Sequence, residues 1–113
     1  MKKYAGERTE RGAAVAVVDL ETRVGRPLPT GLQYVRHSPT GFEWGYLGSG
    51  PAQLAFAILL DHFGDPAPAR LYYQSFKFEV IAGLHFDCWD LTTTQIALAI
   101  EKIQQRLARE ESA

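Results

Sequence analysis

The sequence predicts an α+β fold, with a small antiparallel sheet of three to four strands from the N-terminal half packed with three helices from the C-terminal half. Three observations carry this reading. Apolar residues alternate with period two as far as Tyr46, and from Leu54 onward they recur with the period of a helix. Glycine and proline punctuate the first half, so its segments stay short. The 113 residues, 46% of them hydrophobic, suit one domain, 1–113, with a single modest core.

The elements follow in order. "KYAGERT" reads as a weak first strand with polar alternation, and "AAVAVVDL", Ala13 to Leu20, as a well-buried strand of small and β-branched residues. "ETRVGRPLPTG" reads as a loop. "LQYVRHSPTGFEWGY" is expected to form a β-hairpin, with Ser38, Pro39 and Gly41 placed for a type I turn and Phe42, Trp44 and Tyr46 on one face of the returning strand. The period then changes. Pro51 opens a helix that Gly64 ends, and its apolar residues point all round, as in a helix covered on several sides. Asp65 caps a second helix with the face Tyr73, Phe76, Val80 and Leu84. "GLHFDCWD" breaks it, extended or turning. Thr92 starts a third helix, and Gln95 three residues on completes a capping box. Leu54, Ile58, Tyr73, Phe76, Val80, Ile96, Ile100 and Ile103 are the expected core.

Charge and cysteine content bound the function. The net charge is −1, with +2 on residues 1–46 and −3 on residues 47–113, so the chain carries no global basic signature. A single cysteine, Cys88, makes no internal disulfide and suits a reducing cytoplasm. "MKKYAGERTERG" has no apolar stretch behind its lysines, and the longest apolar run, Leu54 to Leu60, is too short to span a bilayer. No membrane role is expected.

The motif that invites chemistry is "GYLGSGP". Gly45, Gly48 and Gly50 have the wrong spacing for a dinucleotide fingerprint, Pro51 stands where a phosphate loop needs lysine, and Ser49 has Leu47 and Pro51 at the two places where a nucleophile elbow needs glycine. The leading reading is a connector in which Gly48 or Gly50 adopts a conformation that a Cβ would strain. The alternative is a nucleotide or small-anion site built from Trp44, Tyr46, Gly48, Ser49, Gly50 and Gln53, with backbone N–H groups at a helix start. Arg8, Arg23, Arg26 and Arg36 would be the phosphate contacts of a nucleic-acid-binding domain if they shared a face, although acidic residues are interleaved with them. His85, Asp87 and Cys88 lack the two-arm spacing of a metal site. Asp61 reads as a solvated helix position, and Cys88 has no partner base that would make it a nucleophile. No catalytic residue, metal or cofactor is expected.

"HSPTGFEWGYLGSGPAQLAFAILLD", "YYQSFKFEVIAGL" and "WDLT" together resemble a small family of unknown function found in bacteria, phages and other mobile elements, over Gly6 to Ile103. Leu47 stands where that family is expected to carry a small residue, often glycine. The resemblance brings no activity, cofactor or catalytic residue. It implies an accessory protein of phage or mobile-element type. The leading expectation is therefore a non-catalytic binding protein that acts on a protein partner, inhibiting a host or competitor system, and a homodimer is compatible with it.

Overall fold

The chain builds its sheet around its first strand. In a computed structural model that describes residues 1–112, β1 (Lys2–Thr9) pairs antiparallel with β2 (Gly12–Asp19) on one side and with β4 (Cys88–Thr92) on the other. A three-residue strand, β3 (Gly25–Pro27), flanks β2, giving the order β3-β2-β1-β4. Three helices follow the sheet's first three strands: α1 (Ser49–Phe63), α2 (Pro66–Glu79) and α3 (Thr93–Ser112), with a short 3₁₀ turn at Ile81–Gly83. The fold is α+β, as the order of sequence periods implies.

Side-chain alternation gives the sheet two different faces. The inner face carries Tyr4 and Gly6 on β1, Val15 and Val17 on β2, and Trp89 on β4, all buried. These join Leu54, Phe56, Ile58 and Leu59 of α1, Phe76 of α2, and Ile96, Ile100 and Ile103 of α3 in one core. Of the expected core residues, Tyr73 and Val80 are half-buried at its rim and the rest are buried. Residues Gly50 to Leu59 of α1 are buried without interruption, as an all-round apolar helix requires.

The helix ends follow their sequence signals. Asp65 Oδ1 accepts from Ala67 N at 2.9 Å with Pro66 in the first turn of α2, and Gly64 closes α1 at φ 69°, donating to Leu60 O. Thr92 and Gln95 form the reciprocal capping box, Gln95 N donating to Thr92 Oγ1 at 3.2 Å and Thr92 N to Gln95 Oε1 at 2.8 Å. Arg106 ties α3 to α2 through Glu79 at 2.9 Å and Ser75 at 3.0 Å.

Two expectations are corrected. The hairpin 32–46 does not form, because the segment is a run of turns: Tyr34 N and Val35 N both donate to Gly31 O, and Gly45, at φ 83°, breaks the alternation that would put Trp44 and Tyr46 on one face. The strand that pairs in its place is β3, read as loop because Gly25 and Pro27 bracket it. Pro27 is tolerated there as an edge residue.

Gly6 shows how tightly the inner face is filled. A Cβ at Gly6 would run into the indole of Trp89, which is held between Gly6 and an edge-to-face contact with Trp44 (centroids 5.5 Å, 81°). Gly6→Ala should therefore lose about 1–3 kcal/mol of stability in urea unfolding. Gly83→Ala, with open space around it, should stay within about 0.5 kcal/mol. Equal midpoints for the two variants would overturn the packing at Trp89.

Candidate functional site

The residues singled out around the glycine turn divide between structural duties and the surface. Gln53, on α1, is fully buried. Its Nε2 donates to Thr30 O at 2.7 Å and Val35 O at 3.0 Å, and its Oε1 accepts from His37 N at 2.8 Å and Ser38 N at 3.3 Å. One amide thus satisfies four backbone groups of the irregular segment that replaces the hairpin, which leaves it no free capacity. Trp44 is also fully buried, its Nε1 donating to Phe86 O at 2.8 Å. Tyr46 is 50% exposed and Leu47 beside it equally so.

Arg8 draws the segment onto the sheet. Its guanidinium lies 3.8 Å over the Phe86 ring and 4.7 Å over Trp44, donates from Nε to Phe86 O at 2.9 Å, and pairs with Glu43 at 2.8 Å. The stem of Glu43 in turn packs against Gly50, where a Cβ would come within 2.6 Å of Glu43 Cβ and 3.1 Å of its backbone N. Gly50 is needed for this close approach and not for its dihedrals. Gly48 has φ 175°, extended backbone open to any residue, so the expected strain at Gly48 or Gly50 is corrected to Gly45. Ser49 begins α1, and Gly48, as its N-cap, makes no side-chain cap.

The four arginines proposed for phosphate contact are dispersed. Arg8 and Arg26 lie two strands and four pairing positions apart on the inner face, each held by a carboxylate. Arg23 sits in the β2–β3 turn at φ 62°, and Arg36 is exposed beyond the sheet.

Asp61 is the residue that sequence reasoning misplaced. It is not solvated: its side chain is 12% exposed and receives Tyr4 OH at 2.6 Å, Arg26 at 2.8 Å and Lys2 Nζ at 3.1 Å. Burial pushes its carboxyl up, but hydrogen bonds from Tyr4, Arg26 and Lys2, with the charge of Lys2, outweigh this and hold it below the ordinary carboxylate range. Burial, then the hydrogen bond to Asp61 and its charge, push the Tyr4 hydroxyl up, so it stays a donor. His62 next to Asp61 is held down by its burial against the pull of the Asp61 charge. The cluster fastens β1 and β3 to α1 and fully engages its carboxylate. No sequence spacing announces it, since its members lie on three separate elements.

Opposite the helices, the other face of the sheet is uncovered. Ala14, Glu7, Gly25, Pro27, Cys88 and Asp90 are exposed on it, with Ala5, Ala16, Val18 and Lys3 half-buried. Small side chains at its centre leave a shallow trough of about 790 Å³, lined by Ala5, Ala14, Ala16 and Pro27 among others. The expectation that "AAVAVVDL" is a well-buried strand holds for one face only: Val15 and Val17 face the core, while Ala14 and Ala16 face outward. The alternation of Ala with Val was the available signal. Among the described residues, no group of three or more His, Cys, Asp or Glu side chains could hold a metal ion, and no helix is long and apolar enough to cross a membrane.

A family model matches residues 4–102, which include nearly all of the sheet, the irregular segment and most of the helical layer. The chain belongs to DUF6166, a family of unknown function. No curated protein and no solved structure matches it. The match takes in the Gln53 amide, the Arg8–Glu43 pair, Tyr4, Arg26 and Asp61 of the buried cluster, and the bare sheet face from Ala5 on, while Lys2 and Lys3 lie just before it.

Two outcomes check this geometry. Gly50→Ala should cost about 1–3 kcal/mol, because the stem of Glu43 and its backbone must move. Gly48→Ala, which meets only the exposed ring of Tyr46, should be near neutral in the same unfolding assay. The second outcome is a pH profile. The folded-state pKa of Asp61 is depressed, so its contribution is present above the ordinary carboxylate pKa and is lost as pH falls through the folded value. Asp61→Asn should cost about 1–3 kcal/mol at pH 7, with the gap to wild type closing on acidification. A gap independent of pH would show that the carboxylate charge is not what the cluster uses.

Proposed function

We propose that this DUF6166 protein is a non-catalytic binding protein that acts by protein–protein contact through the open face of its sheet. The observation that carries the reading is the asymmetry of that sheet: one face lies under three helices, and the other is bare, centred on Ala5 and Ala16 and rimmed by Lys3, Glu7 and Asp90. An apolar centre with a charged margin is the composition of a protein contact surface. The polar side chains elsewhere that invite chemistry, Gln53, Arg8 and Asp61, are occupied in holding the fold. A phage or mobile-element setting, with inhibition of a host or competitor system, is supported by the sequence resemblance alone.

The test compares wild type with Ala16→Arg, which fills the trough without touching the core. Both proteins should unfold at midpoints within about 0.5 kcal/mol of each other. Immobilised wild type should hold a stoichiometric protein, this chain or another, that the Ala16→Arg variant does not hold at moderate salt. Identical captured material on both, or capture of nucleotide or nucleic acid in place of protein, would overturn the proposal.

A further inference from the structure

The bare face is complementary to itself. The register sets one row of side chains across its middle: Asp90 of β4, Ala5 of β1, Ala16 of β2 and Pro27 of β3. Lys3 and Glu7 stand on β1 at equal distances on either side of Ala5, and Val18 and Ala14 stand on β2 at equal distances on either side of Ala16. A two-fold axis along the middle row, between two stacked sheets, therefore lays Lys3 over Glu7 of the second copy and Val18 over its Ala14. Each contact occurs twice, and alanine meets alanine at the centre. Among the described residues, Lys3 and Glu7 form no ion pair within the chain. An axis parallel to the strands through β1 would set Lys3 on Lys3, so the charges choose the antiparallel arrangement.

Resting on the reading that this face is the contact surface, we infer that its occupant is a second copy of the chain, stacked sheet to sheet with the two β1 strands antiparallel. Small residues at the centre let the sheets approach closely, and an isologous contact of this kind closes at two subunits. The size of the face bears on affinity. Strands of eight, eight, three and five residues give a footprint of roughly 400 Å² per copy, about 800 Å² in all, below the size of stable interfaces and in the range of weak, transient contacts. The dimer is accordingly a reversible one. Asp90 lies on the axis and faces its own counterpart at the sheet edge, a local repulsion that works against association.

Sedimentation velocity of the full chain at rising concentration tests this. Wild type should pass from monomer to dimer. Lys3→Glu alone and Glu7→Lys alone should each weaken the dimer at least about tenfold, since each sets like charges opposite each other twice. Mixing these two variants should restore a dimer, because Glu at position 3 of one then meets Lys at position 7 of the other, and Glu7 of the first meets Lys3 of the second. Asp90→Asn should tighten the dimer, and melting midpoints would confirm that every variant is folded. A wild type that stays monomeric at all concentrations, or a mixture no tighter than its parents, overturns the inference. The capture experiment with Ala16→Arg answers separately: a different protein lost from that variant, with wild type monomeric, keeps the face as a contact surface and removes only the second copy as its occupant.

Discussion

α1 is a helix with no polar face, and the rest of the structure is arranged to cover it. Burial runs unbroken from Gly50 to Leu59, so sheet, α2, α3 and the irregular segment must each take one side. The two polar side chains that this helix does carry inward, Gln53 and Asp61, stand eight residues apart and serve as its attachment points. Gln53 gathers the backbone of residues 30–38, and Asp61 gathers β1 and β3. A buried polar group costs stability unless it is fully partnered, and here each one is partnered by the layer it holds in place.

The sheet repeats this logic with the opposite outcome on its far side. Gly6 and Tyr4 face inward, where Trp89 needs the space a Cβ would fill and Asp61 needs a hydroxyl. The outward positions of the same strands are free of such demands, yet they carry alanine at Ala5, Ala14 and Ala16 where an ordinary solvated face would carry longer polar side chains. The sheet thus has a crowded inner face and a sparse outer one.

The sequence was legible where structure is local. Capping at Asp65 and Thr92, the stop at Gly64 and the apolar stripe of α3 all depend on residues within a turn of each other, and they form as their spacing implies. The hairpin expected over 32–46 does not form because turns at Gly31 and Gly45 break the alternation, and the Gln53 amide of α1, not a partner strand, takes up its backbone groups. β3 was invisible because three residues bounded by Gly25 and Pro27 give no period to count. The Asp61 cluster spans 59 positions between Lys2 and Asp61, a separation no local pattern reports. In the glycine turn, the requirement at Gly50 was legible as a need for glycine but not its cause, since the atom it makes room for belongs to Glu43.

The central place of β1 has a consequence for the order of folding. Its neighbour β2 follows after a two-residue turn, but its other neighbour, β4, is 89 positions away where Lys3 pairs with Thr92. At ordinary elongation rates, roughly 5–20 s of synthesis separate the two partners. Through that interval the β1–β2 hairpin has an open backbone edge on β1 and an apolar face that α1 and α2 reach only as they emerge, with α3 made last. Loop closure over this length makes completion of the sheet a slow step. The nascent chain is then at its most vulnerable to strand pairing with its neighbours, and the edge that invites it becomes the middle of the finished sheet.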